Sequence, residues 1–215
     1  MSNESLPSLF ERHWAESALA IGAVVVAAVS LWVAFNTERT NQQMVAAASW
    51  PFVQLYEASS SSPPLIKLAL VNSGIGPAKI ESFQVFWNGR PQRSPWELLH
   101  SCCGLALQPD GLPDRAVREA MSTSSDEGMV LRAGQTINLL AFKKSPATAA
   151  IWNALLSQFS AGPAKNLAVR YCYCSAFSQC WRVAGGYGHA PGLNPPEVPD
   201  CPKPKVSYQN YPSPG

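Results

Sequence analysis

The feature that most constrains this chain is an uncharged, largely apolar run at residues 17–37, SALAIGAVVVAAVSLWVAFNT. A helix of ~20 residues rising ~1.5 Å per residue crosses the ~30 Å hydrocarbon core of a bilayer. The sequence has no second apolar run of that length. We therefore predict a single-pass protein that contacts the lipid bilayer through 17–37 and has a short cytoplasmic tail at 1–16.

We interpret this run as a retained anchor and not as a signal peptide. A signal peptide has a positively charged leader and a short apolar core. The leader here carries Glu4, Glu11 and Glu16 beside Arg12, and the apolar run is longer than such a core. The alternative that remains open at this point is the buried core helix of a soluble protein.

Orientation is predicted from the cysteines, because the flanking charges are nearly balanced. The positive-inside rule counts Lys and Arg near the helix ends, and Arg12 on one side is matched by Arg39 on the other. Six cysteines all follow the helix, and an even number on one side is typical of disulfides in an oxidising compartment. We therefore expect the N-terminus in the cytoplasm and the C-terminal domain outside it, which for a bacterial cell means the inner (plasma) membrane and the periplasm. The disulfide candidates are Cys102, Cys103, Cys172, Cys174, Cys180 and Cys201, whose connectivity the sequence leaves open.

Composition argues against a nucleic-acid partner. The net charge is only +2, and charged residues make up 14% of the chain. Lys and Arg are scattered, without a basic stripe interleaved with aromatic residues.

The remainder of the chain has the pattern of a mainly β domain. Residues 38–50 continue the helix as a juxtamembrane stalk, and Pro51 ends it. Beyond it, short strand-like segments alternate with turn signals, which predicts an immunoglobulin-like β-sandwich at 51–187 with one or two short helices. The Pro-rich segment 188–215 is expected to be an extended or disordered tail. The strands are predicted at 52–56, 65–71, 78–87, 167–173 and 179–183, with two further strand pieces around Ala133-Gly134 within 129–142, and the helices at 95–105 and 146–159.

Three local signals refine this prediction. The serine run from Ser59 to Pro64 is expected to be a loop. Gly74 and Gly76, which bracket Ile75 before Pro77, are interpreted as turn glycines that supply a positive φ. The dipeptide Asn88-Gly89 predicts a tight hairpin turn.

Three patches together resemble a group of poorly characterised bacterial single-pass membrane proteins. The patches are SWPFVQ at 49–54, VNSGIGPAKI at 71–80, and YCYCS at 171–175 with QCW at 179–181. In that group an N-terminal membrane helix leads to a W-P strand, an N-x-G-x-G-P-A-x-I turn and a late Y-C-Y-C-S…C-W hairpin. The resemblance implies a structural turn and no catalytic residues, and it does not include the Pro-rich tail.

Two kinds of site compete for the cysteines. Structural disulfides are the main expectation, since Cys172 and Cys174 share one strand face and Cys180 follows across a turn. The alternative is a zinc or Cu(I) site built from His100, Cys102, Cys103, Cys172 and Cys174. No C-x-x-C pair is present, and no cysteine-enzyme signature surrounds His100.

The expected function is therefore non-enzymatic and needs no cofactor. We predict a membrane-tethered binding, sensing or accessory module of the bacterial cell envelope, acting through a protein partner or a homo-oligomer. The alternatives are a cell-envelope redox or metal-binding protein that uses the cysteines, and a structural subunit of a larger membrane complex.

Overall fold

The computed structural model describes residues 9–124, 128–160, 166–186 and 195–209. The chain divides into two compact units, Met1–Ala47 and Ala48–Gly215.

The first unit contains one long helix, α1 (Leu9–Ala48). It spans 40 residues, which at ~1.5 Å per residue makes it roughly twice as long as the hydrocarbon core is thick. Apolar side chains along it are exposed, and Trp32 shows 68% of its surface. The segment Glu16–Ala48 is long and apolar enough to cross a membrane.

The second unit is mainly β and contains two antiparallel sheets, as the strand pattern predicts. Its elements in chain order are β1 Val53–Ser61, β2 Pro64–Asn72, β3 Ala78–Trp87, β4 Arg90–Gln92, α2 Pro95–Cys103, α3 Arg115–Ala120, β5 Met121–Ser122, β6 Val130–Leu131, β7 Thr136–Lys143, α4 Ala149–Ser160, β8 Leu167–Cys174, β9 Cys180–Gly186 and β10 Glu197–Val198. The first sheet has the order β1-β2-β7-β5, and the second has the order β10-β9-β8-β3-β4, with β6 also paired to β3. The helices α2, α3 and α4 lie between strands in the sequence.

Aromatic side chains on β3 and β8 form the buried face of the second sheet. Tyr171 and Tyr173 stack with ring centroids 6.3 Å apart, and Phe83 lies 6.4 Å from Tyr171. The Tyr171 hydroxyl donates a hydrogen bond of 3.0 Å to the carbonyl oxygen of Val53 on β1. This face of the second sheet therefore points towards the first sheet, and residues that alternate with the tyrosines point away from it.

The predicted serine loop is wrong, because Ser59 to Ser61 belong to β1. They pair with β2 in unbroken register, Ser59 with Ile66 and Ser61 with Pro64. Only Ser62 and Pro63 form the turn. Although these serines are exposed, pairing with the apolar strand β2 sets their conformation, and their low-complexity composition does not predict it.

The predicted Asn-Gly turn and the predicted helix at 95–105 are both present, the helix ending two residues earlier than expected. Asn88 and Gly89 have φ of 50° and 75° and connect β3 to β4, as an Asn-Gly hairpin turn requires. Helix α2 begins at Pro95 after the N-cap Ser94, whose hydroxyl accepts a hydrogen bond from the backbone N–H of Glu97. It ends at a left-handed Gly104 with φ of 71°.

The glycines at 74 and 76 have a different role from the predicted one. Neither has a positive φ. A Cβ atom on Gly74 would lie 2.6 Å from the Trp50 carbonyl oxygen, and one on Gly76 would overlap the backbone of Ser49. The two positions thus require glycine because the segment at 49–52 passes directly over the turn.

Asn72 fixes the same turn from inside. Its side-chain amide donates to the carbonyl oxygens of Gly76 (2.8 Å) and Leu131 (3.1 Å). Its oxygen accepts from the backbone N–H groups of Phe52 (3.2 Å) and Gly74 (3.1 Å). One buried side chain therefore joins the start of the unit, the turn after β2 and strand β6.

The described part of the predicted tail, residues 195–209, is an extended segment that we call the C-terminal strap. Its β10 pairs with β9, and the Gln84 amide donates to the Val206 carbonyl oxygen at 3.1 Å. Tyr208 is fully buried, edge-on to Phe83 at 5.6 Å. The boundary predicted at 187 does not separate the strap from the β unit, because these contacts make the strap part of it.

Candidate functional site

The candidate site is built around four cysteines on the face of the second sheet that points away from the first. Cys172 and Cys174 alternate along β8 with the inward tyrosines, so both point outwards. Cys180, the first residue of β9, pairs with Cys174 across the hairpin. Cys201 lies on the strap. We call these four residues the sulfur cluster.

The sulfur cluster contains two disulfide pairs in contact with each other. The Sγ atoms of Cys172 and Cys201 are 2.02 Å apart, and those of Cys174 and Cys180 are 2.06 Å apart. Between the pairs, Cys174 Sγ and Cys201 Sγ lie 3.7 Å apart, which is a van der Waals contact of sulfur atoms. Cys172 is fully buried and Cys201 is partly exposed. The strap is therefore attached covalently to the middle of the second sheet.

A groove of about 600 Å³ opens beside the sulfur cluster. Its walls contain sulfur atoms, two basic residues, two acidic residues and apolar surface. The basic and acidic residues are Lys79, Lys203, Glu81 and Asp200, of which Lys79 and Glu81 form an ion pair of 2.8 Å. The groove is therefore amphipathic without a net charge in its walls.

Exposed apolar side chains extend the surface at and beside the groove. Val130 lines the groove and is 52% exposed. Phe177 is 49% exposed and follows Ala176 of the groove wall. Exposed apolar side chains beside a concave surface are typical of sites that bind other molecules.

The turn that carries Phe177 has a defined conformation. The Ser175 hydroxyl accepts hydrogen bonds from the backbone N–H groups of Phe177 (3.2 Å) and Gln179 (3.3 Å). The Cys174–Cys180 disulfide closes the hairpin at its base. Such a wall needs little ordering when a partner binds, which lowers the entropic cost of association.

The sequence-predicted metal ligands do not come together as one set. Cys102 and Cys103, at the end of α2, pair with each other at a sulfur separation of 1.99 Å. The Nδ1 atom of His100 lies 2.6 Å from the carbonyl oxygen of Leu105. Cys172 and Cys174 instead belong to the sulfur cluster. Within the described ranges, the group of metal-ligating side chains that does converge is Cys174, Cys180 and Cys201, with sulfur atoms within 4.8 Å of one another.

The pKa values displaced by burial belong to residues that do not line the groove. Burial raises the pKa of Glu57 on β1 to about 7. Burial raises the pKa of Tyr173 to about 12. For Tyr171, burial and then the neighbouring Tyr173 raise the pKa above its usual range. Both tyrosines therefore remain neutral at physiological pH.

Sequence reasoning identified the cysteines of this site but not the groove beside them. The groove forms only where the strap lies next to β8. The bonded residues that bring them together, Cys172 and Cys201, are 29 positions apart in the sequence. The signal available in the sequence was Cys201 itself, a cysteine within the segment that we interpreted as an extended or disordered tail.

Comparison with known proteins gives a family without an assigned activity. The sequence model of a domain of unknown function (DUF8453) matches residues 15–176. The matched range begins at the apolar helix and ends within the β8–β9 hairpin. No match was found among curated proteins or among solved structures.

Proposed function

This chain belongs to the DUF8453 family, and we propose that it is a membrane-tethered, non-enzymatic module that binds a protein partner in the groove beside the sulfur cluster. The single observation that carries this proposal is the groove itself. It combines exposed apolar side chains, charges of both signs and walls cross-linked by two disulfides.

The chemistry of the groove favours a protein segment over a small charged ligand. Two lysines and two carboxylates line it, so a strongly anionic or cationic ligand gains no net Coulomb attraction. Val130 and Phe177 supply apolar contact area, and protein interfaces combine such an apolar centre with a polar rim. An extended peptide or an exposed loop offers both kinds of contact.

The long helix α1 supports the proposal that the protein is tethered to a membrane. Glu16–Ala48 satisfies the length and apolarity of a membrane span. A tether confines the β unit near the bilayer and raises its effective concentration towards other membrane proteins.

We place the protein in the bacterial inner membrane with the β unit on the periplasmic side, because all six cysteines are paired and disulfides persist in oxidising compartments.

We also propose that the β unit is an immunoglobulin-like β-sandwich. Two antiparallel sheets are present, and the inward face of the second meets β1 of the first through the bond from Tyr171 to Val53. In such folds the faces form the core while strand ends and hairpins carry binding sites. The groove lies at this kind of position, at the β8–β9 hairpin.

Site-specific photo-cross-linking in cells tests the proposed groove. A photoreactive phenylalanine analogue is introduced at Phe177, and in a matched variant at Tyr56 on β1. The two side chains are both aromatic and are 49% and 48% exposed, so they differ mainly in their distance from the groove. We expect a discrete protein adduct from position 177 in membranes of the native host and none from position 56. Equal adducts from both positions, or none from position 177, would contradict the proposal.

A further inference from the structure

The geometry points to a second state of the sulfur cluster: with both disulfides reduced, Cys172, Cys174, Cys180 and Cys201 bind one zinc ion. This set differs from the ligand set predicted from the sequence, with which it shares only Cys172 and Cys174. The inference is independent of the partner proposed for the groove.

Three of the four sulfur atoms already lie close together, as they would around one metal ion. In a zinc tetrathiolate the Zn–S bonds are ~2.3 Å long, so neighbouring sulfur atoms lie ~3.8 Å apart. Cys174 and Cys201 have that separation now, at 3.7 Å, and Cys180 lies within 4.8 Å of both. The Cys172 sulfur atom is not part of this group of three, so its side chain must rotate towards them once its disulfide is reduced.

The fold holds the four residues together without the disulfides. Cys172, Cys174 and Cys180 are fixed by the pairing of β8 with β9. Cys201 stays close because the strap is also held by the pairing of β10 and by buried Tyr208. The tyrosine face that meets the first sheet lies on the opposite side of β8. Reduction therefore removes two cross-links and leaves the apolar core in place.

The reduction balances with an external dithiol as the electron donor. Each disulfide takes two electrons and two protons from one dithiol, which leaves as its own disulfide after a mixed-disulfide intermediate. Two dithiols thus convert the cluster into four thiols. Zinc binding then releases the four thiol protons and forms four Zn–S bonds.

The groove provides the entry path and the sulfur atoms provide the selectivity. Cys174, Cys180 and Cys201 all line the groove, so an ion reaches them from solvent. Lys79 and Lys203 balance Glu81 and Asp200 in the walls, so the walls favour neither cations nor anions. Four thiolates prefer soft ions such as zinc and Cu(I) over magnesium or calcium.

Cobalt titration of the full-length protein in detergent tests this state. The background variant carries C102S and C103S, which removes the two sulfur atoms on α2 and keeps the sulfur cluster. After anaerobic reduction with a phosphine, we expect one Co²⁺ per chain, the visible absorption of tetrahedral cobalt thiolate, and displacement by one equivalent of zinc. Adding Cys201→Ser removes one of four thiolates and should weaken cobalt binding by at least ~10- to 100-fold, the loss that removing even an outer-shell partner of a ligand causes.

Absence of stoichiometric cobalt in the reduced background variant would overturn the inference, and so would unchanged affinity after Cys201→Ser. Near-UV circular dichroism is recorded throughout to follow folding. If reduction abolishes the spectrum of the folded protein, zinc must restore it. Failure of zinc to restore that spectrum would also contradict the proposed zinc site. Cross-linking from position 177 uses the oxidised protein, so failure of the partner proposal is distinguishable from failure of the metal site.

Discussion

Removal of the Asn72 side chain should destabilise the β unit far more than its size suggests. The side-chain amide is fully buried and makes four hydrogen bonds, to Gly76, Leu131, Phe52 and Gly74. At a net ~1 kcal/mol for each bond, Asn72→Ala costs ~4 kcal/mol. Domains are stable by only ~5–15 kcal/mol, so this single change removes a large share of the stability.

Urea unfolding of the full-length protein, followed by tryptophan fluorescence, measures this cost. Ser73→Ala is the matched control, since Ser73 is the next residue, is exposed and makes one side-chain bond of 2.9 Å to Gln54. The control should lose ~1 kcal/mol or less. Equal unfolding free energies for Asn72→Ala and Ser73→Ala would refute the reasoning that the buried amide holds the turn, the entry segment and β6 together.

Three further predictions concern other parts of the β unit. Gly76→Ala should lower the thermal unfolding midpoint and expose the segment at 49–52 to protease, because its Cβ overlaps the Ser49 backbone; an unchanged midpoint would contradict this close approach. Tyr208→Ala should cost ~3 kcal/mol in urea unfolding and make the strap susceptible to proteolysis, since its ring is fully buried against Phe83; a protease-resistant strap would count against its role as an anchor. Burial raises the pKa of Glu57 from 4.5 to about 7, so between these pH values the folded state keeps a proton that the unfolded chain has lost. The unfolding free energy should therefore fall as pH rises through this window, and Glu57→Gln should remove that slope.

Local chemistry allowed much of the fold to be predicted from the sequence. The apolar run at 17–37 predicts a helix that can span a membrane, because apolar length alone sets that requirement. Asn88-Gly89 predicts its turn because both positions need a positive φ, which these two residues tolerate. Alternating apolar residues predict a mainly β unit, since each strand buries one face.

Long-range contacts account for what the sequence did not reveal. Ser59 to Ser61 are strand residues because β2 pairs with them, a partner that serine-rich composition does not indicate. Gly76 is needed for the approach of Ser49, a contact between segments that no local turn pattern encodes. The same applies to the groove, because its walls join the β8–β9 hairpin to a strap whose cysteine pairs with a residue 29 positions earlier.

The proposal that the groove holds a protein partner is tested most directly by filling the groove and measuring cross-linking in cells. The photoreactive analogue is placed at Val130, and Ala176, an exposed residue of the groove wall, is replaced by Trp. Tyr56→Trp on β1 serves as the control for an added indole elsewhere on the surface. We predict that the adduct from position 130 is lost in Ala176→Trp and retained in Tyr56→Trp. An adduct of undiminished yield in Ala176→Trp would contradict partner binding in the groove.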